Sequence, residues 1–535
     1  MGIPSYFSYI VKNHIEIIRK YIKASLIVHN LYMDCNSIIY DAVRRINFDD
    51  LSEKDSIVII RSVINKIEEY IDLITPSTNI LIAFDGVAPA AKLEQQRSRR
   101  YKSWYQNEIS KSIFKKTTAD PWNTTAITPG TLFMKELNDS VQKYFKNNSK
   151  YVDANINVIV STSDQYGEGE HKIFDYIRSN KESHFSETTV IYGLDADLIM
   201  LSINHLPINP NIYLFRETPE FIKSIDSSLE PNETYLMDIP ELTRAITLDM
   251  NNGNELTTDE QKNRIYDYIF ICFFLGNDFM PHFPAVNIRT GGVDKMLNAY
   301  KATIGGTKEN LTDGMRIIWK NVRKLVEFLS QSEEDMFKSE MKLRDRNEKK
   351  YLPSTTPEEK YKKFDAIPTY DRELEKYINP FKENWQFRYY KSLFGIEDDE
   401  ERIKQISINY LEGLEWTMKY YTTGCSDWKW CYKHNYPPLL QDLIRYIPYF
   451  DTKFVQLKPA APVTPLVQLC YVLPRQSLQF LPPKLYNALK KEHPDWYPAD
   501  CEFVWAFCRY FWEAHVELPH LDIEELDTFI KNVLA

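Results

Sequence analysis

The sequence predicts an α/β fold: a mainly parallel sheet flanked by helices across residues 1–300, then a second, aromatic-rich and mostly helical lobe. Three observations lead there. Short β-like runs alternate with helical patterns, as parallel sheets with helical crossovers require. Each run ends at, or within a few residues of, an acidic residue or a Gly-rich turn. Beyond residue 376 the composition changes, and Trp, Tyr and Pro become frequent.

Taken in order, MGIPSYFSYIVKNH has no long apolar core of a signal peptide, and Tyr6 stands where a myristoylation signal needs Ser or Thr. The first strand is expected over Leu26 to Asp34 and the second over Asn79 to Phe84. A basic helical stretch follows, then a helix start at Ile127 to Gly130, with Thr128 as cap and Pro129 in the first turn. Further strands are expected at Ile156 to Ser161 and Thr189 to Tyr192, and an apolar helix-like run at Tyr268 to Leu275. That run is too short to span a bilayer, so no membrane association is expected. Residues 301–375 are highly charged and read as a helical connector, and 376–535 as the second lobe packed on the core, with Asp522 capping a final helix.

With 75 acidic against 65 basic residues and a formal charge of −10, any nucleic-acid surface must be local. The seven Cys form no paired zinc pattern. These features fit a soluble intracellular protein, and the absence of a nuclear-targeting cluster other than QQRSRR favours the cytoplasm.

Seven acids lie in five islands: Asp34, Asp85, Glu168 with Glu170, Asp195 with Asp197, and Asp278. Ligands of open α/β sheets gather beyond the carboxyl ends of strands, so acids repeatedly placed there share one site. Two carboxylates about 4 Å apart repel by roughly 4 kcal/mol at an effective dielectric near 20, so the cluster needs cations. Hard oxygen donors suit Mg²⁺ or Mn²⁺. A pair of such ions would activate water and stabilise a leaving 3′-oxygen in phosphodiester hydrolysis. A lone DxD or GEGE is commonplace; five islands at strand ends are not.

Between Lys92 and Lys116, eight basic residues face two Glu. On a helix Lys92, Gln96, Arg99 and Arg100 recur at three- and four-residue steps and share a face suited to a terminal phosphate. A receptor for the chain end beside two metals exposes the first phosphodiester bond, which is the logic of an exonuclease. Tyr40 and Trp428 or Trp430 are candidates to stack on bases. His171 stands next to GEGE, suited to a phosphate contact or to packing.

These stretches resemble the Xrn family of 5′-to-3′ exoribonucleases. The likeness runs through LYMDCNSIIYDAV, DGVAPAAKLEQQRSRR, ITPGTLFM, YGEGEHKIFDYIR, GLDADLIML and FICFFLGNDFMPHFP, then NWQFRYYK, YLEGLEWTMKYYTTGCSDWKWCYKHNYPP and QLCYVLPRQSLQFLPP. It implies a PIN/flap-nuclease-like core, two Mg²⁺ ions on the seven acids with Mn²⁺ as substitute, and a 5′-phosphate pocket of Lys92, Gln96, Arg99 and Arg100. The implied activity is processive hydrolysis of 5′-monophosphorylated single-stranded RNA to nucleoside 5′-monophosphates, with unwinding coupled to translocation; separately, a monomer is the expected state, which the sequence leaves open. Tyr40 stands where the family usually has His, Ser37 where it has Gly, and Tyr166 where it has Pro. The long additional C-terminal domains of the large members and the zinc knuckle of some nuclear ones are expected to be absent. Two rivals use the same residues: a structure-specific 5′ flap DNA endonuclease, and a catalytically silent RNA-binding scaffold. The terminal-phosphate face argues against the first and the repulsive acids against the second.

Overall fold

The computed structural model describes residues 5–23, 25–46, 54–115, 122–217, 223, 226–231, 233–458 and 461–535. The first four residues of the MGIPSYFSYI start, and Lys116, lie outside these.

The sheet is built from β1 (Ile18–Lys20), β2 (Asn30–Asp34), β3 (Asn79–Ala83), β4 (Asn157–Ser161), β5 (Thr189–Tyr192), β6 (Ile212–Glu217) and β7 (Thr234–Asp238), in the spatial order β1-β7-β6-β5-β2-β3-β4. Strands β4, β3, β2, β5 and β6 are parallel; β7 and β1 continue the sheet antiparallel. All four strands expected from sequence are present, and β1, β6 and β7 extend the sheet beyond them.

Side chains of the central strands alternate between two apolar clusters. Tyr32, Leu81, Ile191 and Leu214 enter the larger one. Leu31, Met33, Ile80, Ile82, Val190, Tyr192 and Phe215 enter the other. Both faces are therefore covered, which is why β2 is buried at every position and reads as a continuous apolar run. From β2 the chain steps outward to β3 and β4, then returns to the opposite side of β2 to build β5 and β6. The crossovers diverge at that point and leave a crevice at the carboxyl ends of β2 and β5.

One helix start differs from expectation. The helix Leu132–Phe145 is capped by Thr131, whose hydroxyl accepts from Met134 N at 3.3 Å. Thr128 is committed elsewhere: its hydroxyl donates to Thr125 O at 2.6 Å and accepts from Arg100 Nη2 at 2.6 Å. Asp522 does cap the final helix, Ile523–Leu534, accepting from Glu524 N and Glu525 N at 2.8 and 3.0 Å.

The charged stretch 301–375 is largely helical. Its helix Trp319–Gln331 buries Trp319, Val322, Leu325, Val326 and Leu329 in the same cluster as the first strand face. The second lobe is mainly helical, with one small hairpin of β8 (Glu502–Val504) and β9 (His515–Glu517). Its longest helix, Glu400–Thr422, starts at Asp399, which accepts from Arg402 N at 3.0 Å. It sends Tyr410, Leu411, Leu414, Trp416, Tyr420 and Tyr421 into the large cluster. Gly413 lets this helix lie against the loop after Asp278, because a Cβ there would meet Met280 Sδ at 2.1 Å. Among the described residues no helix is long and apolar enough to cross a membrane.

Candidate active site

Each acid is placed by a local turn at the crevice. Asp34 is the last residue of β2, and Asp85 lies two residues past β3. Glu168 occupies the N-cap position of the helix Gly169–Ser179, and Glu170 its first turn. Asp195 follows β5, and Asp197 opens the helix Asp197–His205. Asp278 follows the turn at Gly276, which ends the helix Thr258–Cys272 and its 3₁₀ extension Phe273–Leu275.

Contacts join these islands. Gly169 N donates to Asp85 Oδ1 at 2.7 Å, and a Cβ on Gly169 would meet Asp34 Oδ1 at 2.5 Å, so only glycine lets this helix start approach β2. Lys92 Nζ bridges Glu168 at 2.5 Å and Asp278 at 2.7 Å. Asn36, not anticipated from the sequence, binds Asp85 twice: its Nδ2 donates to Oδ2 at 2.6 Å and its Oδ1 accepts from Asp85 N at 3.0 Å. The second lobe supplies two further donors that sequence reasoning missed. Tyr420 OH donates to Glu168 Oε1 at 2.9 Å, and Tyr421 OH to Asp197 Oδ1 at 3.0 Å.

The electrostatics follow from burial. Burial, reinforced by Asp85, holds the Asp34 carboxyl well above its ordinary value. Burial, reinforced by Glu168, does the same to Glu170. Burial with Asp195 and Asp278 close by pushes Asp197 up to about 8. Burial alone would lower the Lys92 ammonium; Asp278 and Glu168 reverse this and hold it well above its usual range. Burial also opposes ionisation of Asp278, but Lys92 holds that carboxyl down. The centre thus gathers seven acids around the Lys92 ammonium, with negative side chains crowded in a desolvated place. This donor set fits a divalent cation held by oxygen. Glu168, Glu170 and His171 each offer a ligand atom within 4.8 Å of the other two. His171 Nδ1 is buried without a partner among the described residues, and its ring stacks on Tyr420 with centroids 3.7 Å apart.

The basic helix spans Ala90–Phe114 and begins beside this cluster. Its arginines are sorted by face. Arg97 is structural: it donates to Pro519 O at 2.9 Å and Trp496 O at 3.0 Å. Among the described residues Arg100 makes one hydrogen bond, to Thr128, and its Nε is buried without a partner. Burial lowers its pKa to about 10; Tyr40 supports its charge and Arg99 opposes it. Gln96 is buried on the Lys92 side of the helix, and Arg99 is half-exposed. Trp428 meets Tyr166 edge-on at 5.3 Å, and its carbonyl accepts from Ala90 N at 2.8 Å. Trp430 is stacked on Trp416 at 5.0 Å, inside the protein's own aromatic packing.

Comparison with known proteins gives matches along almost the whole chain. A family model described as XRN 5′-3′ exonuclease N-terminus matches residues 1–218, and one described as Xrn1 helical domain matches 259–376 and 354–534. Relatives include 5′-3′ exoribonuclease 2 of Arabidopsis thaliana, 27% identical across 93% of this chain and 62% of its own length. 5′-3′ exoribonuclease 1 of Saccharomyces cerevisiae is 27% identical across 100% of this chain and 43% of its own. The chain therefore spans about two fifths to three fifths of the length of these relatives. The solved catalytic core of Rad2 in complex with DNA substrate aligns with a TM-score of 0.31 at 12% identity, covering 79% of this chain and 95% of that one, too weak a likeness to bear on the fold.

Proposed function

The chain belongs to the Xrn family of 5′-3′ exonucleases, and on that footing we propose that it is a processive 5′-to-3′ exoribonuclease acting on single-stranded RNA with a 5′-monophosphate. One observation carries the reading: Lys92 begins the open face of the basic helix and at the same time touches Glu168 and Asp278. A terminal phosphate received by Gln96, Arg99 and Arg100 lies within a few turns of one helix from the acids. Only the first phosphodiester then reaches them, and a nucleoside 5′-monophosphate leaves.

The roles divide among the chain's own residues. Asp34, Asp85, Glu168, Glu170, Asp195, Asp197 and Asp278 would hold two Mg²⁺ ions, with Mn²⁺ as substitute. Bound there, divalent ions supply Lewis acidity for the attacking water and the leaving 3′-oxygen. Arg99 and Arg100 offer bidentate donors, and Gln96 a neutral one, to the end phosphate. Half-exposed Tyr40, beside Arg100, is the ring best placed to stack on the first base. Trp428, at the start of the basic helix, is favoured over the internally stacked Trp430 as a second ring. Within QQRSRR, Arg97 bonds Pro519 O and Trp496 O and Arg100 bonds Thr128, so we assign this stretch to packing and substrate rather than to targeting, and the activity to RNA turnover in the cytoplasm.

The decisive experiment supplies Mg²⁺ and RNAs that differ only at the 5′ end. Monophosphorylated RNA is expected to shorten from that end to mononucleotides, while 5′-hydroxyl, triphosphate and capped forms resist. Arg99→Ala should erode that preference. Internal fragments released from a circular RNA would refute exonucleolytic action.

A further inference from the structure

Arg216 stands near the end of β6, the strand beside β5 on the side away from β2. Its side chain is only 7% exposed, and its guanidinium lies 3.8 Å over the ring of Phe7, in the opening helix Tyr6–Asn13. Burial works against its charge, and Asp195, one of the seven acids, partly supports it. Nε is fully buried with no acceptor, and no described residue forms a hydrogen bond or ion pair with the guanidinium.

This sets Arg216 apart from the other deeply buried arginines. Arg97 is satisfied by two carbonyls. Arg264 reaches Tyr300 OH, Glu309 O and Thr307 O. Arg344 and Arg372 share Glu375. A guanidinium has five N–H donors; here Nε is buried without an acceptor while the terminal nitrogens are unbonded among the described residues and not sealed from solvent, so a partly desolvated charge stays open to an acceptor from outside the chain. The ring beneath it fixes the plane without consuming a donor.

Its position says which acceptor. In the order β6-β5-β2-β3, Arg216 flanks the acids on one side and the basic helix that follows β3 flanks them on the other. Three strand spacings, about 14 Å, separate these flanks. Resting on the reading above, a strand whose terminal phosphate sits at the basic helix and whose first phosphodiester lies over the acids must carry its next phosphodiester toward β6 and the opening helix. We propose that Arg216 is a substrate-binding residue that grips the phosphodiester immediately 3′ of the scissile one, presenting its open guanidinium from the Phe7 ring.

The test uses the full chain, Mg²⁺ and 5′-monophosphorylated RNA in which one uncharged methylphosphonate replaces the second phosphodiester. In single turnovers removing the first nucleotide, the wild type should lose at least tenfold in kcat/KM on this substrate. Arg216→Met keeps the stem over Phe7; it should lose a similar factor on unmodified RNA and nothing further on the methylphosphonate RNA. Mn²⁺ affinity, read by electron paramagnetic resonance, should be unchanged in this variant. The proposal is overturned if the wild type ignores the modification, if the two losses multiply, or if Mn²⁺ binding falls with Arg216→Met, which would make it a prop for Asp195. Should that variant fail to fold, the wild-type penalty at the second linkage, compared with the fourth, decides alone. A wild type that degrades no RNA of any kind would instead strike the exoribonuclease reading, a separable outcome.

Discussion

Tyr420 and Tyr421 are consecutive on the helix Glu400–Thr422, yet their hydroxyls reach different acids, Glu168 and Asp197. The helix places neighbouring side chains about 100° apart, and the two acids line the groove it packs along. Outer-shell donors of this kind orient metal ligands, and their removal typically costs 10- to 100-fold in affinity. Tyr420→Phe and Tyr421→Phe keep the rings, including the stack on His171, and should each weaken Mn²⁺ binding by about tenfold. An unchanged Mn²⁺ titration would show the hydroxyls to be bystanders. The acids themselves were legible because apolar runs lead directly into them. Two more tyrosines in a chain holding 35 carry no such signal, and only the fold joins them to the site. Asn36 was nearer to legible, since Asp34-Cys35-Asn36 repeats the alternate spacing of Asp195 and Asp197. Away from the centre, His205 makes a pH prediction. Arg178 Nη1 donates to its Nε2 at 2.8 Å and its Nδ1 donates to Leu201 O at 2.8 Å, an arrangement that requires the neutral ring. Burial, with Arg178 beside it, lowers its pKa to about 3. A folded pKa below the unfolded 6.5 contributes stability above pH 6.5 that is lost as pH falls toward 3. In urea unfolding between pH 6 and 4, His205→Gln should show a pH slope shallower than the wild type by about 1.4 kcal/mol per pH unit. Parallel slopes would contradict a neutral buried ring.

At the scale of elements, β2, β3 and β5 were visible because both faces are buried, and the half-exposed edge strand β4 because Val158, Ile159 and Val160 still form an apolar run between turns. β1 has three residues, and β6 and β7 have polar or half-exposed positions that dilute the pattern. The phosphate face of the basic helix was visible in the three- and four-residue steps from Lys92, whereas the burial of Arg97 against the second lobe has no counterpart in local spacing. The charged stretch 301–375 conceals an internal anchor. Glu375 accepts from Arg344 at 2.5 and 2.8 Å, from Arg372 at 2.7 Å and from Phe507 N at 2.7 Å. Arg344 also donates to Cys508 O at 2.8 Å. A run of mixed charges reads as solvated surface, but here it ties the helices Glu333–Glu348 and Glu373–Ile378 to the loop after β8. Breaking a buried pair from one side strands its partners, so Glu375→Ala should cost about 3–5 kcal/mol in urea unfolding. Mn²⁺ affinity should survive at denaturant-free conditions, because no acid of the centre touches this network. A loss under 1 kcal/mol would mean that water replaces the carboxylate.

For the molecule as a whole, composition divides the chain at residues 300 and 375, but apolar contact is continuous across both points. One cluster contains Tyr6, Leu198 and Phe274 from the first part, Trp319 and Leu325 from the second, and Leu414, Trp416 and Leu443 from the third. A smaller cluster packs Ala88 and Leu93, at the start of the basic helix, against Val467, Leu469 and Leu485. The second lobe therefore completes the centre in two ways: it donates to Glu168 and Asp197, and it fixes the helix that carries Lys92. A piece containing residues 1–300 alone would expose the faces that bury Phe279 and Leu93 and would leave Glu168 and Asp197 without their tyrosine donors. It should melt without a cooperative transition and bind Mn²⁺ at least 100-fold more weakly than the whole chain, the upper end of what lost outer-shell partners cost. Calorimetry and a Mn²⁺ titration on the two proteins measure both. A fragment that melts sharply and keeps native metal affinity would make the second lobe an accessory to a centre already complete in the first 300 residues.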